Sequence, residues 1–432
     1  MVKILVRPLS YFARNESGQV AVIAALSMTA LTGLVGLSVL YYQGVQQQTA
    51  IQAGLDAGVL AGTALSYSAS NAERISAAEA AFYANVSNGT FGASEKKAEF
   101  EADSTPKPAF SVARSEVSGN ATGKVSNGLS AVLGISDMDV QVSAKAAKRM
   151  SDPVCILAVN DHAPTSVWAY GDAHISADGC SIQANSTSAQ GLALQGTKSS
   201  ISAKMIGTTG NYTGSNWSPT PMTDVAPVSD PYADLPVPEP EGCLDLGTKL
   251  QKMSATLDPG TYCGGMEVKA GATVTLNPGI YVMTDGPFKV NSGAQVRGED
   301  VMIALVGKDS YIHLLSDAYV KLSSPSSGTY KNIQFMSDRD VSQSKFEEEW
   351  TTILSGATLE YDGIMYLPEQ NFWVNGTGHQ AVVKGSSPSM ILLADTVWAQ
   401  GNAILQFKRE DKRGIGEDPA RTGFSYGAML VR

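Results

Sequence analysis

Four cysteines are the residues of this chain best suited to covalent or metal chemistry. They are Cys155, Cys180, Cys243 and Cys263, with no C-x-x-C pair and no histidine at ligand spacing. That spacing argues against a zinc site. An even number of cysteines beyond an apolar N-terminal segment instead favours two disulfides in an oxidising compartment. Three pairings are possible, and we expect Cys155–Cys180 and Cys243–Cys263 because short loops close most easily.

Acid–base catalysis would need clustered carboxylates, histidines or lysines, and the sequence offers little of that kind. The histidines are scattered along the chain: His162, His174, His313 and His379. The compact cluster Asp338-Arg339-Asp340 stands in no catalytic motif, and Gly378-His379-Gln380 resembles a polygalacturonase-type Gly-His-Gly without its companion aspartates. Nucleophile-elbow, H-E-x-x-H and P-loop motifs are absent from the sequence. We therefore expect no enzyme activity, no catalytic or metal-binding residue and no cofactor.

Several aromatic side chains stand beside predicted turns and are candidates for surface binding. They are Trp168, Tyr170, Phe372, Trp373 and Trp398. If several share one outer face, they could stack on sugars or on another protein. The alternative is that they fill the core or cap its ends, which is the expected place for most of them.

Composition narrows the class of protein. The net charge is −10, and no basic patch with interleaved aromatics is present, so nucleic acid is not an expected partner. Aromatic residues are 7% and charged residues 17%, while glycine reaches 42 residues. That mixture is typical of a β-rich, turn-dense protein rather than a helical enzyme.

A repeat organises residues 151–432. Each unit has a short alternating strand, a Gly or Asp turn and a second alternating strand. The units are Val167–Ala177, Leu192–Ala203 and the stretches that begin at Met266, Phe288, Ile312, Ile353 and Val397. Turn residues recur every 22 to 25 positions, which predicts a β-solenoid or β-helix-like domain. A β-sandwich built from hairpins is the alternative.

Two other segments flank or interrupt that domain. The Pro-rich stretch 218–241 must be extended, as a linker or as a strap across the repeats. Residues 91–150 predict a small α+β module, with strands at Phe110–Ala113 and Val140–Ser143 and a helix at Val125–Leu133. No chemistry is expected in that module.

The N-terminal segment carries the strongest signal. No charged residue occurs between Glu16 and Asp56, and Val20–Tyr42 is almost wholly apolar. About 20 such residues cross a bilayer core, so residues 17–42 predict a transmembrane anchor. The run is too long for a cleaved signal peptide, which also needs small residues at its end. Basic residues in the preceding segment, 1–16, predict a cytoplasmic N-terminus and a periplasmic or extracellular bulk.

A helical stalk is predicted after the anchor, over residues 43–90. Gly54, Gly58 and Gly62 recur at four-residue spacing and make a smooth stripe for close helix packing. Partner helices could dock on that stripe, or the protein's own next domain could cover it. The sequence does not rank these two.

The N-terminal residues resemble those of TadG-like proteins of the Flp (tight-adherence, Tad) pilus assembly system. The likeness rests on Gly18-Gln19-Val20-Ala21, the apolar helix, Leu55-Asp56-Ala57 and Leu60-Ala61-Gly62, over about 60 residues. It implies a non-catalytic, single-pass component of the bacterial inner membrane that contacts other pilus-assembly proteins through its helix. A surface adhesin or glycan-binding β-helix protein, and a polysaccharide-acting β-helix enzyme, are the alternatives.

One departure from pilin-like segments bears on polymerisation. Processed pilins carry a Glu five residues after the cleavage-site Gly, and here that position is Ile23. In an assembled pilus the carboxylate would pair with a neighbouring terminal amine inside an apolar core. Its absence argues against a polymerising major pilin and agrees with an anchored or minor component.

Overall fold

The computed structural model describes residues 18–65, 69–87, 107–113, 116–125, 138–149, 152–244, 253–339, 350–409 and 427–430. Over these ranges the chain is mainly β, with an apolar helix at its N-terminal side. Two predicted segments fall outside them: the basic segment 1–16 and nearly all of the helix predicted at Val125–Leu133.

Helix α1 (Gly18–Ala64) is continuous through the predicted anchor and the first part of the predicted stalk, up to residue 64. Its 47 residues extend about 70 Å at 1.5 Å per residue. The first half leaves large apolar side chains exposed, with Met28 72% and Tyr41 70% accessible. The second half buries Ile51 and Leu55 completely. Of the helices described, this one is long and apolar enough to cross a membrane.

Helix α2 (Asn71–Ser87) follows after a short break and begins with a capping box. The Glu73 amide donates to Ser70 Oγ at 3.3 Å, while Glu73 Oε2 accepts from the Ser70 amide at 2.7 Å. Both helices pack on an antiparallel sheet in the order β1-β2-β3-β28. Its strands are β1 (Lys107–Ala113), β2 (Glu116–Val125), β3 (Met138–Arg149) and β28 (Gly427–Leu430).

The helices and this small sheet form one α+β unit with its own core. Ile51 and Leu55 of α1 cluster with Phe82 of α2 and with Val142 of β3. The strands predicted at Phe110–Ala113 and Val140–Ser143 lie within β1 and β3 and are confirmed. The stalk and the module, predicted as separate segments, therefore share a core. Strand β28, near the C-terminal end of the chain, pairs with β3 of this unit rather than with the repeats.

The remaining strands form one large sheet of 24 strands. The first group is β4 (Val154–Ala158), β5 (Val167–Gly171), β6 (His174–Ala184), β7 (Leu192–Gln195), β8 (Ser200–Thr208), β9 (Tyr212–Thr213) and β10 (Trp217–Ser218). The second group is β11 (Ser254–Leu257), β12 (Gly260–Cys263), β13 (Met266–Val268), β14 (Thr273–Leu276), β15 (Gly279–Thr284), β16 (Phe288–Val290), β17 (Gln295–Gly298), β18 (Val301–Val306), β19 (Ile312–Leu314), β20 (Tyr319–Leu322), β21 (Ile333–Ser337), β22 (Thr351–Ile353), β23 (Thr358–Tyr361), β24 (Ile364–Gly376), β25 (Val382–Ser387), β26 (Ile391–Gly401) and β27 (Ile404–Arg409).

Parallel pairing links these strands into three ladders, and the longest strands contribute to two. Ladder A contains β11, β14, β17, β20, β23, β25, β27, β6, β8 and β10. Ladder B contains β12, β15, β18, β21, β24, β26, β4, β6 and β8. Ladder C contains β13, β16, β19, β22, β24, β26, β5, β7 and β9. The inward rows of all three share one hydrophobic core.

Every strand–turn–strand unit predicted from the sequence is present, as a strand of ladder C followed by a strand of ladder A. The residue at each corner has a positive φ, which glycine and aspartate tolerate best. The corner residues are Gly171, Gly196, Gly271, Gly293, Asp317, Gly356 and Gly401. The pairing is parallel, so the hairpins of the alternative β-sandwich are not what these units form.

The order of strands in the large sheet differs from their order in the chain. The last strands stack on the first, with β26 paired to β4 and β5 and β27 paired to β6. The chain therefore enters the sheet inside the stack, with seven strands of ladder A on one side of β6 and two on the other, and proceeds to the nearer end at β10. It must then return past the whole sheet to begin again at β11.

The Pro-rich stretch 218–241 makes that return, and we name it the strap. Val225 and Tyr232 of the strap are buried against the outer face of ladder B. The side chains that they cover include Met302, Met336 and Tyr366, all fully buried. The sequence left two interpretations open, a linker and a strap across the repeats. The packing is that of a strap.

Arg339, from the charged cluster singled out in the sequence, holds the strap in place. Its Nε donates to Tyr366 Oη at 2.8 Å and its Nη1 donates to the Leu235 carbonyl at 3.2 Å. Its Nη2 donates to the carbonyls of Tyr232 and Leu235. Tyr366 in turn donates to Asp230 Oδ2 at 2.5 Å. Arg339 is therefore a structural residue, while its neighbour Asp340 lies outside the described residues.

Both disulfides have the expected pairing. Cys155–Cys180 joins β4 to β6, which are neighbours in ladder B, with a Cα–Cα distance of 5.7 Å. Cys243–Cys263 joins the end of the strap to β12, with a Cα–Cα distance of 5.6 Å. The second bond ties the returning chain to the first strand of ladder B.

A buried charge cluster connects the α+β unit to the strap. Asp224 Oδ2 lies 2.7 Å from Arg74 Nη2 of α2 and 3.8 Å from Lys148 Nζ of β3. Lys148 also donates to the Leu65 carbonyl at 2.7 Å. Burial raises the pKa of the Asp224 carboxyl, and the two cations oppose that rise. The two units are thus joined at a polar, water-poor contact.

Replacing Arg339 should loosen the strap. Arg339→Lys keeps the charge but removes the planar fork, so it leaves strap carbonyls without their donor at about 1–3 kcal/mol per lost bond. We expect a lower unfolding temperature and faster limited proteolysis between residues 226 and 241. Arg297→Lys is the control, because Arg297 is exposed and lies over Tyr319 away from the strap. Equal proteolysis of both variants would contradict the clamp.

Candidate functional site

A continuous band of aromatic side chains lies on the outer face of ladder C, and we name it the aromatic strip. It contains Trp350, Trp373, Trp398, Trp168 and Tyr170. Trp373 of β24, Trp398 of β26 and Trp168 of β5 are direct partners in the parallel register. Because side chains alternate along a strand, the residues on either side of each tryptophan point into the core.

The rings of the strip pack against each other largely edge to face. Trp350 contacts Trp398 at 5.1 Å and Trp373 at 6.1 Å between ring centroids. Trp168 contacts Trp398 at 5.5 Å, edge to face, and stacks on Tyr170 at 5.3 Å with an interplanar angle of 19°. These geometries are the favourable ones for aromatic pairs. The tryptophans are half-buried and Tyr170 is 43% exposed, so the strip is held firmly yet remains open to solvent.

Among the described residues, one indole N–H of the strip has a protein acceptor that fixes its ring. Trp398 Nε1 donates to the Thr165 carbonyl at 3.2 Å. Trp373 Nε1 is buried and has no acceptor among the residues that the structure describes. The Trp373 ring therefore owes its position to packing against Trp350 and to the strand beneath it.

Uncharged polar residues border the strip on both sides. Asn371 and Thr396 precede Trp373 and Trp398 by two positions, and Thr396 Oγ1 donates to Asn371 Oδ1 at 2.5 Å. Beyond the strip, one further outward row contains amides and the Tyr170 phenol: Asn375, Gln400, Tyr170 and Gln195. On β24, β26 and β5, the outward row of the tryptophans and the outward row on either side of it thus carry no formal charge.

Along the row of the tryptophans, charge begins where ladder C continues towards β13. The row of the tryptophans proceeds there through Thr352, His313, Lys289 and Glu267. Lys289 Nζ and Glu267 Oε1 form an ion pair at 2.9 Å. Burial, assisted by the nearby Lys289 charge, lowers the pKa of His313, whose Nδ1 lies 2.8 Å from Thr352 Oγ1. The ladder therefore has an aromatic, neutral part and a charged part.

The structure brings together the four predicted surface aromatics, Trp168, Tyr170, Trp373 and Trp398. Phe372 does not join them, since it points inward and is fully buried. Trp350 was missed because it stands outside the predicted repeat units, shortly before the unit that begins at Ile353. Its position immediately before β22, which occupies the same ladder, is the signal that could have found it.

The glycine stripe on α1 is covered by the protein's own chain. A Cβ at Gly54 would lie 2.5 Å from Val86 Cγ2, and one at Gly62 would lie 2.8 Å from the Arg74 carbonyl oxygen. A Cβ at Gly58 would lie 2.8 Å from the Ala78 carbonyl oxygen. These glycines let α2 approach the backbone of α1 closely, which is the internal docking that the sequence left as one of two possibilities.

The residues considered for catalysis are not brought into one site. Asp338 follows β21 in ladder B, whereas His379 is exposed in the turn after the ladder C part of β24. His162 is exposed, and His174 Nδ1 contacts Ser200 Oγ at 2.7 Å on ladder A. Within the described ranges, no group of three or more His, Cys, Asp or Glu side chains could hold a metal ion.

Comparison with known proteins gives no relative: no family model, no curated protein and no solved structure matches this chain. The function must therefore be argued from the chain itself.

Adding one methyl group to the glycine stripe should separate the two helices. Gly58→Ala places a Cβ against a backbone carbonyl that cannot rotate away, at a cost of about 1–3 kcal/mol. We expect a lower unfolding temperature for the detergent-solubilised protein. Gly33→Ala is the matched control, because a Cβ at Gly33 meets nothing within 4 Å, and it should be neutral or slightly stabilising. Equal effects of the two changes would contradict internal docking.

His313 should make stability depend on pH. Its folded-state pKa is lowered, so its contribution is present when the imidazole is neutral, above about pH 6.5, and is lost as pH falls through the lowered value. We expect His313→Gln to lose less thermal stability than wild type between pH 7.5 and pH 5. His379→Gln, which changes an exposed side chain, should keep the wild-type profile. A His313→Gln profile identical to wild type would contradict this assignment.

Proposed function

We propose that this chain is a non-catalytic, single-pass membrane protein that acts as a TadG-like component of Flp/Tad pilus assembly. The observation that carries the proposal is the division of α1 into two halves. One half exposes the apolar side chains that a bilayer would cover, and the other half is built into the α+β unit. An anchor of this kind is continuous with the domain that it holds.

The location of the bulk of the chain follows from the same features. Two disulfides stabilise the large sheet and the strap, which fits an oxidising compartment. With the basic segment 1–16 on the cytoplasmic side, the bulk would lie in the periplasm or outside the cell. The bacterial inner membrane is the membrane that the TadG-like resemblance implies.

We further propose that the three ladders are the faces of a β-solenoid. Regular parallel pairing supports this, since each strand from β11 to β21 pairs with the third strand further along, as in β11–β14, β12–β15 and β13–β16. A solenoid stacked in this way is stiff along its axis, because each layer is hydrogen-bonded to the next. Such a domain suits a structural or presenting role at a cell surface.

Partner helices would have to use a face of α1 other than the glycine stripe. The stripe is covered by α2, whereas Ile23, Leu26 and Leu34 are 65%, 68% and 65% exposed. Their exposed side chains offer a packing surface within the membrane. The uncharged Ile23 supports contact with assembly proteins rather than incorporation into a pilus that needs a buried Glu.

Co-purification tests this proposal. The full-length protein, extracted from membranes in mild detergent and captured through a C-terminal tag, should bring down pilus-assembly proteins, with its own N-terminal residues intact by mass spectrometry. A triple variant with Ile23, Leu26 and Leu34 changed to Ala should stay in the membrane and recover fewer of them. Recovery of the protein alone, as a soluble and N-terminally cleaved form, would overturn both the anchor and the partner.

A surface adhesin is the second candidate, favoured by the aromatic strip. The two functions differ in exposure: protease added to intact cells should degrade an adhesin but should reach a periplasmic component only after the outer membrane is opened.

The polysaccharide-acting enzyme has less support, because Asp338 and His379 lie on different ladders. That enzyme would release reducing ends from glycans and lose the activity on Asp338→Asn or His379→Ala.

A further inference from the structure

We propose that the aromatic strip binds a neutral glycan laid across the strands of ladder C. The inference goes beyond a role in pilus assembly, because it assigns a ligand site to one face of the large sheet. It does not depend on which membrane carries the protein.

The strip is built in advance of any ligand. Each tryptophan is held by an edge-to-face neighbour, and Trp398 is also held through its N–H to the Thr165 carbonyl. Half-buried rings of this kind lose little rotamer freedom on binding, so their contact area contributes to affinity with little entropic cost. The core beneath them is closed by their fully buried neighbours along each strand, such as Phe372, Val397 and Val167.

The outer face of the strip has the chemistry that a sugar ring requires. A sugar ring presents apolar C–H groups on its faces and hydroxyls around its edge, so it needs an aromatic surface bordered by hydrogen-bonding groups. Here Trp373, Trp398 and Trp168 supply the surface, and the row of Gln400, Tyr170 and Gln195 supplies the border. Among the described residues, none hydrogen-bonds the side-chain amides of Gln400 or Gln195, so these amides remain for a ligand.

The charge of the strip and its border also narrows the class of ligand. Among the described residues, the rows of the strip and its border carry no formal charge in a protein of net charge −10, so these rows neither attract a cationic ligand nor balance an anionic one. Single-stranded nucleic acid also stacks on aromatic residues, but it requires a positive groove along its phosphates. An uncharged, polyhydroxylated chain is the ligand class that agrees with both the rings and their surroundings.

The direction of the ligand follows from the positions of the tryptophans. Trp373, Trp398 and Trp168 stand on successive strands, which are about 4.8 Å apart in a sheet. An extended, β-linked glycan advances by a similar distance per sugar, so successive sugars can meet successive strands. The strip ends at the small Ala193 on one side and at the charged part of ladder C on the other, which sets the binding length at a few sugars.

The test is direct titration of the detergent-solubilised full-length protein with defined oligosaccharides. The probes are the neutral hexasaccharides of β-1,4-linked glucose, β-1,4-linked N-acetylglucosamine and α-linked mannose, with the hexasaccharide of galacturonic acid as the acidic comparison. Tryptophan fluorescence and calorimetry report binding. We expect at least one neutral probe to bind and the acidic probe to bind more weakly.

Variants assign the binding to the strip. Trp398→Ala should weaken binding about tenfold or more, since a central tryptophan typically dominates an interface, and Trp398→Phe should lose only part of the affinity. Trp217→Ala is the matched control, because Trp217 lies in β10 and packs on Tyr212, away from the strip. Retained disulfides and an unchanged circular dichroism spectrum, required of every variant, separate loss of the site from loss of the fold.

Four outcomes would overturn the inference. They are no binding of any neutral probe at millimolar concentration, stronger binding of the acidic probe, binding that Trp398→Ala leaves unchanged, and equal losses in Trp398→Ala and Trp217→Ala. If Trp398→Ala instead abolishes co-purification of a protein while no glycan binds, the strip is a protein interface. Unchanged recovery of pilus-assembly proteins by Trp398→Ala would show that glycan binding and assembly use separate surfaces.

Discussion

In-register parallel stacking is the constraint on which the rest of this structure depends. Val296, for example, is buried only because Val274 and Val320 lie at the same register position on the neighbouring strands. Burial of one such valine contributes about 1.5–3 kcal/mol, and a single layer could not bury any of its inward row alone. Each layer therefore requires two neighbours, and the two ends of the stack are the places where this requirement fails.

The route of the chain follows from that constraint. Because the chain enters the sheet inside the stack, the strands that begin the repeats are covered on both sides, by β26 and β27 as well as by the strands that follow. This route requires a return segment that is long enough to pass the whole stack. The strap is this return segment, and it adds a second set of contacts, since it covers apolar outward rows of ladder B that water would otherwise reach.

The sequence predicts the local features of this fold well and the long-range ones poorly. Corners were found because a positive φ demands Gly or Asp at regular spacing, and the disulfides because short loops close first. The pairing of β26 with β5 joins residues about 230 positions apart, and no local period encodes it. One local feature indicated that contact. The triplet Val167-Trp168-Ala169 is identical to Val397-Trp398-Ala399, and the two triplets are direct partners in the structure. For the same reason the four surface aromatics could be named as candidates but not placed together.

The arrangement of the ladders also explains why the aromatic strip stays uncovered. The strap lies on ladder B, and the α+β unit is joined to the sheet at the start of the strap through Asp224. A buried ion pair of this kind contributes little net stability, but it accepts only a partner that satisfies its charge, so it fixes where the unit docks. Among the described residues, the strap leaves the outer face of ladder C open, and there the indole rings pack on one another.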